Sequence, residues 1–421
     1  MERKLNLIPL SSSLNENVSF DLDKRESVRL LRSIYKTNIV NPLNLDKIKD
    51  EAHLTALFIA SGGSEEQFLK IAHLLPEPVI VISDSFHNSL AASVEISSWL
   101  NSKGLMHHHF NLPDDPSEKF MEDLDEELGI FERIQTGLKT ISRYRIGLIG
   151  GESPWLISSA VNKERIQNRF GAVFHEISVN DLIEAYQNET YNDSDSLQLI
   201  NSLESHKEEF ISCSSIEDAV KMYNAINHIC LKENLDAFTI KCFDLLKPCS
   251  TTACLALSLM NDNGIVAGCE GDIPSLWSMI ISKVICDSTS FMANPSSVDR
   301  VDYSIDFAHC TAPLTIGKSY KLTTHYESKS GIGIASKVNL GKYTLFKCGG
   351  EDLNKFYLYE GEVIQNTSVV ERCRTQVKFV FKHKEDLNEY LESYLGNHSV
   401  LIPGKHKKVL KRFITLISKR D

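Results

Sequence analysis

The segment Gly264–Ile273, GIVAGCEGDI, carries the residues best suited to chemistry. It predicts a short apolar strand that ends in Cys269 and is followed by Glu270 and Asp272 where a helix begins. Two interpretations of Asp272 stay open: it is a functional carboxylate, or it is the N-cap of a helix that Pro274 helps to start. Glu270 has no capping role, and a carboxylate at the end of a strand is badly placed for a core. We therefore expect Glu270 to be functional.

Two histidines from later segments offer donors of another type. His309 lies at a predicted strand end, in DFAHC, and His398 follows the end of a predicted helix, in GNH. A single histidine is more often an ordinary polar residue than a ligand. Together with Glu270, however, the two imidazoles form a donor set that suits a borderline divalent ion such as manganese.

Other histidine-rich or glycine-rich strings are weaker candidates. The three successive side chains of His107, His108 and His109 cannot converge on one ion in a strand or a helix, so we expect them in a surface loop or strand. The pair Gly150-Gly151 is interpreted as a structural turn, with a ligand-facing loop as the alternative. The chain contains no dinucleotide fingerprint, phosphate-binding loop or nucleophile-elbow motif.

The composition is that of a folded protein with two or three domains, since 42% of the 421 residues are hydrophobic and 24% are charged. The formal charge of −11 has the wrong sign for binding nucleic acid or an anionic membrane. The N-terminus, MERKLNLIPLSSSLNENVSF, has neither a signal-peptide pattern nor a membrane-spanning run. Ten cysteines without a C-x-x-C pair indicate small buried residues in a reducing compartment. We expect a cytoplasmic protein.

The elements that position these residues follow from hydrophobic periodicity. Up to about residue 265, short apolar runs alternate with helical segments such as Leu90–Leu100, which predicts βα units around two parallel sheets. The predicted strands are Ala56–Ala60 and Val79–Ser83 in the first set, and Ile146–Ile149, Ala172–Ile177, Ala237–Lys241 and Gly264–Ala267 in the second.

From about Tyr303 the sequence alternates with period two, which predicts an antiparallel β domain of the barrel or sandwich type. Its predicted strands are Ser319–Tyr326, Gly331–Val338, Tyr343–Lys347, Lys355–Tyr359 and Gln376–Lys382, and its predicted closing helices are Glu385–Leu395 and His406–Ser418. The predicted fold class is α/β, with two Rossmann-like α/β domains of parallel sheets followed by a C-terminal antiparallel β-barrel-like domain. The predicted ranges are 1–145, 146–290 with Glu270, and 291–421.

Five short motifs, taken together and in this order, resemble the L-fucose isomerase family. They are CEGDIPS at Cys269–Ser275, FMAN at Phe291–Asn294, AHC at Ala308–Cys310, CRTQ at Cys373–Gln376 and GNH at Gly396–His398. The resemblance covers about residues 240–400 and extends, more distantly, to L-arabinose isomerase. It implies two α/β domains with a C-terminal β domain, and a homo-oligomer, trimeric or hexameric, with active sites near subunit contacts.

The resemblance also implies a divalent metal site, typically for Mn²⁺. In that family a glutamate, an aspartate about two dozen residues later and a histidine near the C-terminus hold the ion, and these places fall on Glu270, Asn294 and His398. His309 stands where L-arabinose isomerase has an additional histidine ligand. Asn294 is a departure, because an amide offers an oxygen to a metal but cannot accept a proton at neutral pH. The resemblance further points to Asp272, Arg374 and Asn397 as substrate-binding residues.

The family reaction explains these residue types. An aldose becomes a ketose when a proton moves between adjacent carbons through an enediol, which needs a carboxylate to carry the proton and a Lewis acid to hold the two oxygens. Glu270 is the expected ligand and base, and Asn294 takes the place of the second catalytic residue. If the local alignment shifts, Asp272, Asp299 or Asp302 could supply the second carboxylate instead.

Three functions follow as hypotheses. The first is a metal-dependent isomerase acting on a sugar or a sugar derivative. The second, motivated by Asn294, is a non-catalytic carbohydrate-binding or regulatory descendant of such an enzyme. The third is another carbon-acid reaction on the same scaffold, such as sugar epimerisation or a lyase step.

Overall fold

The structure is a computed structural model that describes residues 3–12, 22–47 and 54–418. The chain divides into two compact units, Met1–Lys139 with Lys411–Asp421, and Thr140–Leu410. The three domain ranges given above stay predictions. Among the described residues, no helix is both long enough and apolar enough to cross a membrane.

The first unit is built on a parallel sheet. Its strands are β1 (Lys4–Leu10), β2 (Lys36–Ile39), β3 (Leu54–Ile59), β4 (Val79–Ser83) and β5 (His107–Asn111), in the order β2-β1-β3-β4-β5. Its helices are α1 (Glu26–Ile34), α2 (Glu65–Ile71), α3 (Ser89–Ser102) and α4 (Glu118–Ile141). Helices cover such a sheet on its faces, which is why β3 and β4 are nearly continuous apolar runs.

The three successive histidines form most of strand β5. Of the loop or strand that the sequence predicted for them, the structure has the strand. The His108 ring stacks on Phe131 with 4.5 Å between centroids, and His109 Nε2 lies 2.7 Å from Ser83 Oγ. The three side chains alternate across the strand, so they serve packing and hydrogen bonding in the first unit.

The second unit begins with another parallel sheet. Its strands are β6 (Arg145–Ile149), β7 (Val173–Ile177), β8 (Ala237–Ile240) and β9 (Val266–Gly268), in the order β7-β6-β8-β9. Its helices are α5 (Lys163–Phe170), α6 (Val179–Asn188), α7 (Ser194–Glu204), α8 (Cys213–Glu233), α9 (Leu246–Cys249), α10 (Cys254–Asp262) and α11 (Ile273–Cys286). Polar N-cap side chains that accept backbone N–H groups start α5 to α8, as the cap types Asn162, Ser178, Asp193 and Ser212 predict.

The rest of the second unit holds a closed antiparallel barrel. Its strands are β10 (Phe291–Asp299), β11 (Ser304–His309), β14 (Gly341–Gly349), β15 (Lys355–Asn366), β16 (Thr375–Phe381) and β17 (Ser399–Pro403), in the order β10-β11-β16-β15-β14-β17. The hairpin of β12 (Gly317–Thr323) and β13 (Gly333–Val338) forms a separate sheet. The last helices of the chain are α12 (Lys384–Glu392), which lies in the second unit, and α13 (Lys407–Ile417), most of which belongs to the first. The predicted fold class is thereby confirmed.

Helix α11 connects the parallel sheet of the second unit to the barrel. It packs against β8 and β9 on one side and against β10, β14 and β17 on the other. The turn before α11 therefore lies beside the barrel, close to where β17 begins and β11 ends. This packing brings residues 270, 309 and 398 together although they are far apart in the sequence.

Candidate metal centre

Glu270 lies in the tight turn that joins β9 to α11. Its backbone φ is +59°, in the left-handed region, and Gly271 follows with φ +67°. A Cβ at Gly271 would lie 2.4 Å from the Gly151 carbonyl oxygen, so only glycine fits there. The turn directs the Glu270 carboxylate away from the sheet core, and its side chain keeps 13% of its surface exposed.

The two histidines reach Glu270 from the barrel. His309 is the last residue of β11, and its Nε2 lies 3.9 Å from Glu270 Oε1. His398 directly precedes β17, and its Nε2 lies 3.5 Å from the same oxygen. One donor atom from each of the three residues lies within 4.8 Å of the others. Among the described residues, this is the one group of three or more His, Cys, Asp and Glu side chains with such spacing.

Hydrogen bonds fix the orientation of both imidazoles. His398 Nδ1 lies 2.8 Å from Asp272 Oδ2, and because a carboxylate only accepts, Nδ1 carries the proton and donates it. His309 Nδ1 lies 2.8 Å from the Thr311 hydroxyl. In each ring the Nε2 atom faces Glu270. His398 Nε2 is buried and makes no hydrogen bond within the described part of the chain, as expected of a donor atom that is kept for a ligand.

Asp272 is the N-cap of α11, which confirms the capping interpretation. Its side chain accepts from Ser275 N at 2.9 Å and from the Ser275 hydroxyl at 2.7 Å. It also receives Lys347 Nζ at 3.3 Å and His398 Nδ1 at 2.8 Å. Asp272, Lys347 and His398 are all fully buried. Asp272 thus holds both the helix start and the His398 ring.

The charges at the site follow from this geometry. Burial alone would raise the pKa of Glu270, but the nearby His398, with His309 and Trp155, lowers it to about 2. Burial also opposes ionisation of Asp272, yet Lys347 and His398 hold its pKa below its ordinary value. Burial and the neighbouring His398 lower the pKa of His309 to about 3, so this ring is neutral. For His398, burial is outweighed by Asp272 and Glu270, and its pKa is raised.

Sequence reasoning missed three residues that contact this group. Trp155 Nε1 donates to Glu270 Oε2 at 3.0 Å, Thr311 orients His309, and Lys347 pairs with Asp272. Two of them have a sequence feature by which they could have been found. Trp155 follows β6 at the carboxyl edge of the sheet that carries Glu270, where ligands usually bind. Lys347 is a single charge in the otherwise buried run Tyr343–Gly349 of β14.

Asn294 lies on β10 at the edge of the site. Strand β10 pairs with β17 up to Ala293 opposite Ser399, so the next position brings Asn294 opposite His398. Its Oδ1 is buried and has no hydrogen-bond partner among the described residues. Asp299 ends β10, about 16 Å further along at roughly 3.3 Å per residue, and Asp302 lies in the turn that follows. Asp299 accepts backbone N–H groups of that turn.

Arg374 and Asn397, the other predicted substrate-binding residues, are each next to a residue of the site in the strands or the sequence: Arg374 precedes Thr375, which pairs with His309, and Asn397 precedes His398. Arg374 directly precedes β16, and its Nε and Nη2 donate to the Thr324 carbonyl and hydroxyl at 2.7 and 3.0 Å. Burial lowers the pKa of His325, and the nearby Arg374 guanidinium lowers it further. Asn397 is exposed and directly precedes His398.

No protein-family model matches the chain. It is similar to proteins named sulfoquinovose isomerase. The protein of that name from Priestia megaterium (strain ATCC 12872 / QMB1551) is 23% identical over 408 residues, which cover 89% of this chain and 87% of the relative. The one from Alkalicoccus urumqiensis is 24% identical over 277 residues, covering 62% and 59%.

Proposed function

We propose that this protein is a metal-dependent aldose–ketose isomerase whose substrate is sulfoquinovose or a closely related sugar with an acidic group. The observation that carries the proposal is the convergence of Glu270, His309 and His398, in a chain similar to proteins named for that isomerisation. The L-fucose isomerase type of site is part of the same proposal.

Glu270, His309 and His398 fit a divalent ion of the manganese type. Two neutral imidazole nitrogens and one ionised carboxylate are donors that such an ion accepts. The buried, unpaired Nε2 of His398 and the unpaired Oδ1 of Asn294 support this assignment, because buried polar atoms normally have partners. When bound, the ion would act as a Lewis acid toward the two oxygens on the reacting carbons.

Glu270 is the proposed base. Its lowered pKa keeps it ionised at neutral pH, so it can take the proton from the carbon next to the aldehyde and return it to the aldehyde carbon. The hydroxyl proton on the first of these carbons passes to the aldehyde oxygen in the same conversion, which leaves a carbonyl at the first carbon and a hydroxyl at the second. Asn294 cannot share this task, and the Asp272 oxygens are occupied by Ser275, Lys347 and His398. We propose that a single carboxylate transfers the proton, with Trp155 holding its other oxygen.

Arg374 is the proposed partner of the acidic group. Sulfoquinovose is a hexose with a sulfonate on the carbon furthest from the aldehyde, and guanidinium groups bind such oxyanions through parallel N–H donors. Thr324 fixes the plane of Arg374 through two of its nitrogens, which leaves Nη1 for a ligand. Asn397 is proposed to bind sugar hydroxyls near the reacting end.

The proposal is tested by incubating the protein and Mn²⁺ with sulfoquinovose and with glucose, and by following the ketose signals by NMR. We expect conversion of sulfoquinovose, its loss in Glu270→Gln, and a raised KM in Arg374→Met for the sulfonated sugar alone. Solvent deuterium exchange without ketose would favour the epimerase alternative. Binding without exchange or conversion would favour the non-catalytic one.

We further propose a cytoplasmic homo-oligomer, trimeric or hexameric. Light scattering of the purified full chain gives the number of subunits directly. A monomer that is fully active would contradict this part of the proposal.

A further inference from the structure

The thiols of two cysteines lie close together next to the turn that holds Glu270. Cys269 Sγ lies 3.4 Å from Cys242 Sγ. Cys242 follows β8 and is partly exposed, whereas Cys269 follows β9 and is buried. Strands β8 and β9 are parallel neighbours with Thr239 opposite Gly268, so the residues that follow them emerge side by side. The pair is therefore positioned by the sheet.

We propose that Cys242 and Cys269 form a disulfide when a peroxide oxidises the protein, and that this bond displaces Glu270. A disulfide has an S–S length of about 2.05 Å, so the two sulfurs must approach by about 1.4 Å from their present 3.4 Å. The thiols of Cys310 and Cys373 are also close enough to shift each other's pKa, but Cys310 follows His309 at the end of a paired strand.

The chemistry balances with one peroxide per disulfide. The partly exposed Cys242 sulfur, as thiolate, attacks a peroxide oxygen, the O–O bond breaks, and a sulfenic acid and hydroxide form. The Cys269 sulfur then attacks the Cys242 sulfur, the S–O bond breaks, and hydroxide leaves. The two thiol protons convert both hydroxides into water. Two electrons pass from the sulfurs to the peroxide.

The turn geometry carries the movement to Glu270. Cys269 is bonded directly to Glu270, whose φ of +59° already lies in a region that non-glycine residues rarely adopt. Gly271 is in contact with the Gly151 carbonyl, so the turn cannot slide as a unit. We therefore expect a shift of Cys269 toward Cys242 to be taken up by a rotation of Glu270 that moves its carboxylate away from His309 and His398. The effect on metal binding rests on the proposed metal site.

The test uses the full chain, freed of metal with a chelator and treated with hydrogen peroxide. Peptide mapping without reduction should find the Cys242–Cys269 cross-link. Mn²⁺ affinity, measured by calorimetry, should fall about tenfold or more, the effect of displaced supporting groups at metal sites, and should return after reduction with dithiothreitol. Cys242→Ser should bind Mn²⁺ normally and resist peroxide. Cys213→Ser, which removes an exposed thiol elsewhere, should behave like the wild type.

A second readout does not depend on the metal. Trp155 donates to Glu270, so its fluorescence, obtained by difference from Trp155→Phe, should change on oxidation and recover on reduction. If reduced protein binds no Mn²⁺, the proposed metal site fails, while the cross-link and the fluorescence still decide this inference. A cross-link between Cys310 and Cys373 instead, no cross-link, or a cross-link without a change at Trp155 would overturn it.

Discussion

Replacing Asp272 by Asn tests whether this buried carboxylate supports the site electrostatically. The carboxylate caps α11, pairs with Lys347 and accepts from His398 Nδ1. Asparagine is about as good an N-cap as aspartate, so Asp272→Asn keeps the cap and removes the charge. Because Lys347 and His398 are fully buried, the lost charge has no water to replace it.

The expected loss of unfolding free energy is about 3 kcal/mol. Breaking a buried pair by removing one partner costs about 3–5 kcal/mol, and the amide oxygen that remains places Asp272→Asn at the lower end. Mn²⁺ affinity should also fall by about 10-fold to 100-fold. The amide oxygen keeps the Ser275 cap, so its NH₂ group faces His398 Nδ1, and the ring loses the acceptor that sets its tautomer. Adding Lys347→Met should restore stability, since the unpaired ammonium is then gone, but it should not restore Mn²⁺ affinity.

Urea unfolding and calorimetric Mn²⁺ titration measure the two effects separately. The matched control is Asp193→Asn at the exposed N-cap of α7, where the side chain accepts from Asp195 N and Ser196 N and forms no buried ion pair. It should change stability by no more than about 0.5 kcal/mol. If Asp272→Asn costs no more than this control and leaves Mn²⁺ affinity unchanged, the electrostatic role of Asp272 is refuted.

Three further predictions concern the donor atoms. Asn294→Asp adds a second anionic oxygen opposite His398 and should tighten Mn²⁺ binding; equal affinity in calorimetry would show that residue 294 does not contact the ion. Mn²⁺ affinity should rise with pH through about 6.5, because the ion must displace the proton of His398, and should level off only above the raised pKa of that ring; a flat profile would contradict this. Trp155→Phe removes the donor to Glu270 Oε2 and should raise the Kd for Mn²⁺ a few-fold without changing the urea midpoint; an unchanged Kd would show that this contact does not orient Glu270.

Much of the fold could be predicted because strong hydrophobic patterns decide it. Strand β4 was predicted with its observed bounds, since a continuous apolar run in a parallel sheet is a clear signal. Strands β1 and β10 were not predicted. Pro9 interrupts the first, and the polar stretch NPSSVD hides the second, whose register shifts between Pro295 and Ser297. Irregular or polar strands are defined by their barrel or sheet partners, which periodicity cannot identify.

A candidate site residue could be predicted from sequence only where no structural role explains its residue type. Glu270 was such a residue, because a carboxylate directly after an apolar strand is badly placed for the core and this one does not cap a helix. Whether Asp272 caps a helix or serves the site was not separable in sequence, and the structure shows that it caps α11 and also holds His398. The contacts of Trp155 and Lys347 depend on how α11 packs against both sheet and barrel, which local sequence does not encode.

On the proposed function, the amide of Asn294 has an electrostatic consequence for the choice of substrate. A divalent ion with Glu270 and two neutral imidazoles keeps a net charge of about +1, whereas a second carboxylate would bring it to zero. A sulfonate about 8 Å away would interact with that extra charge by about 2 kcal/mol at an effective dielectric constant of about 20. On the proposed function, the amide would bind the metal less tightly than a carboxylate and would favour an anionic sugar over a neutral one. We therefore propose that Asn294, the departure from the family pattern, favours anionic substrates.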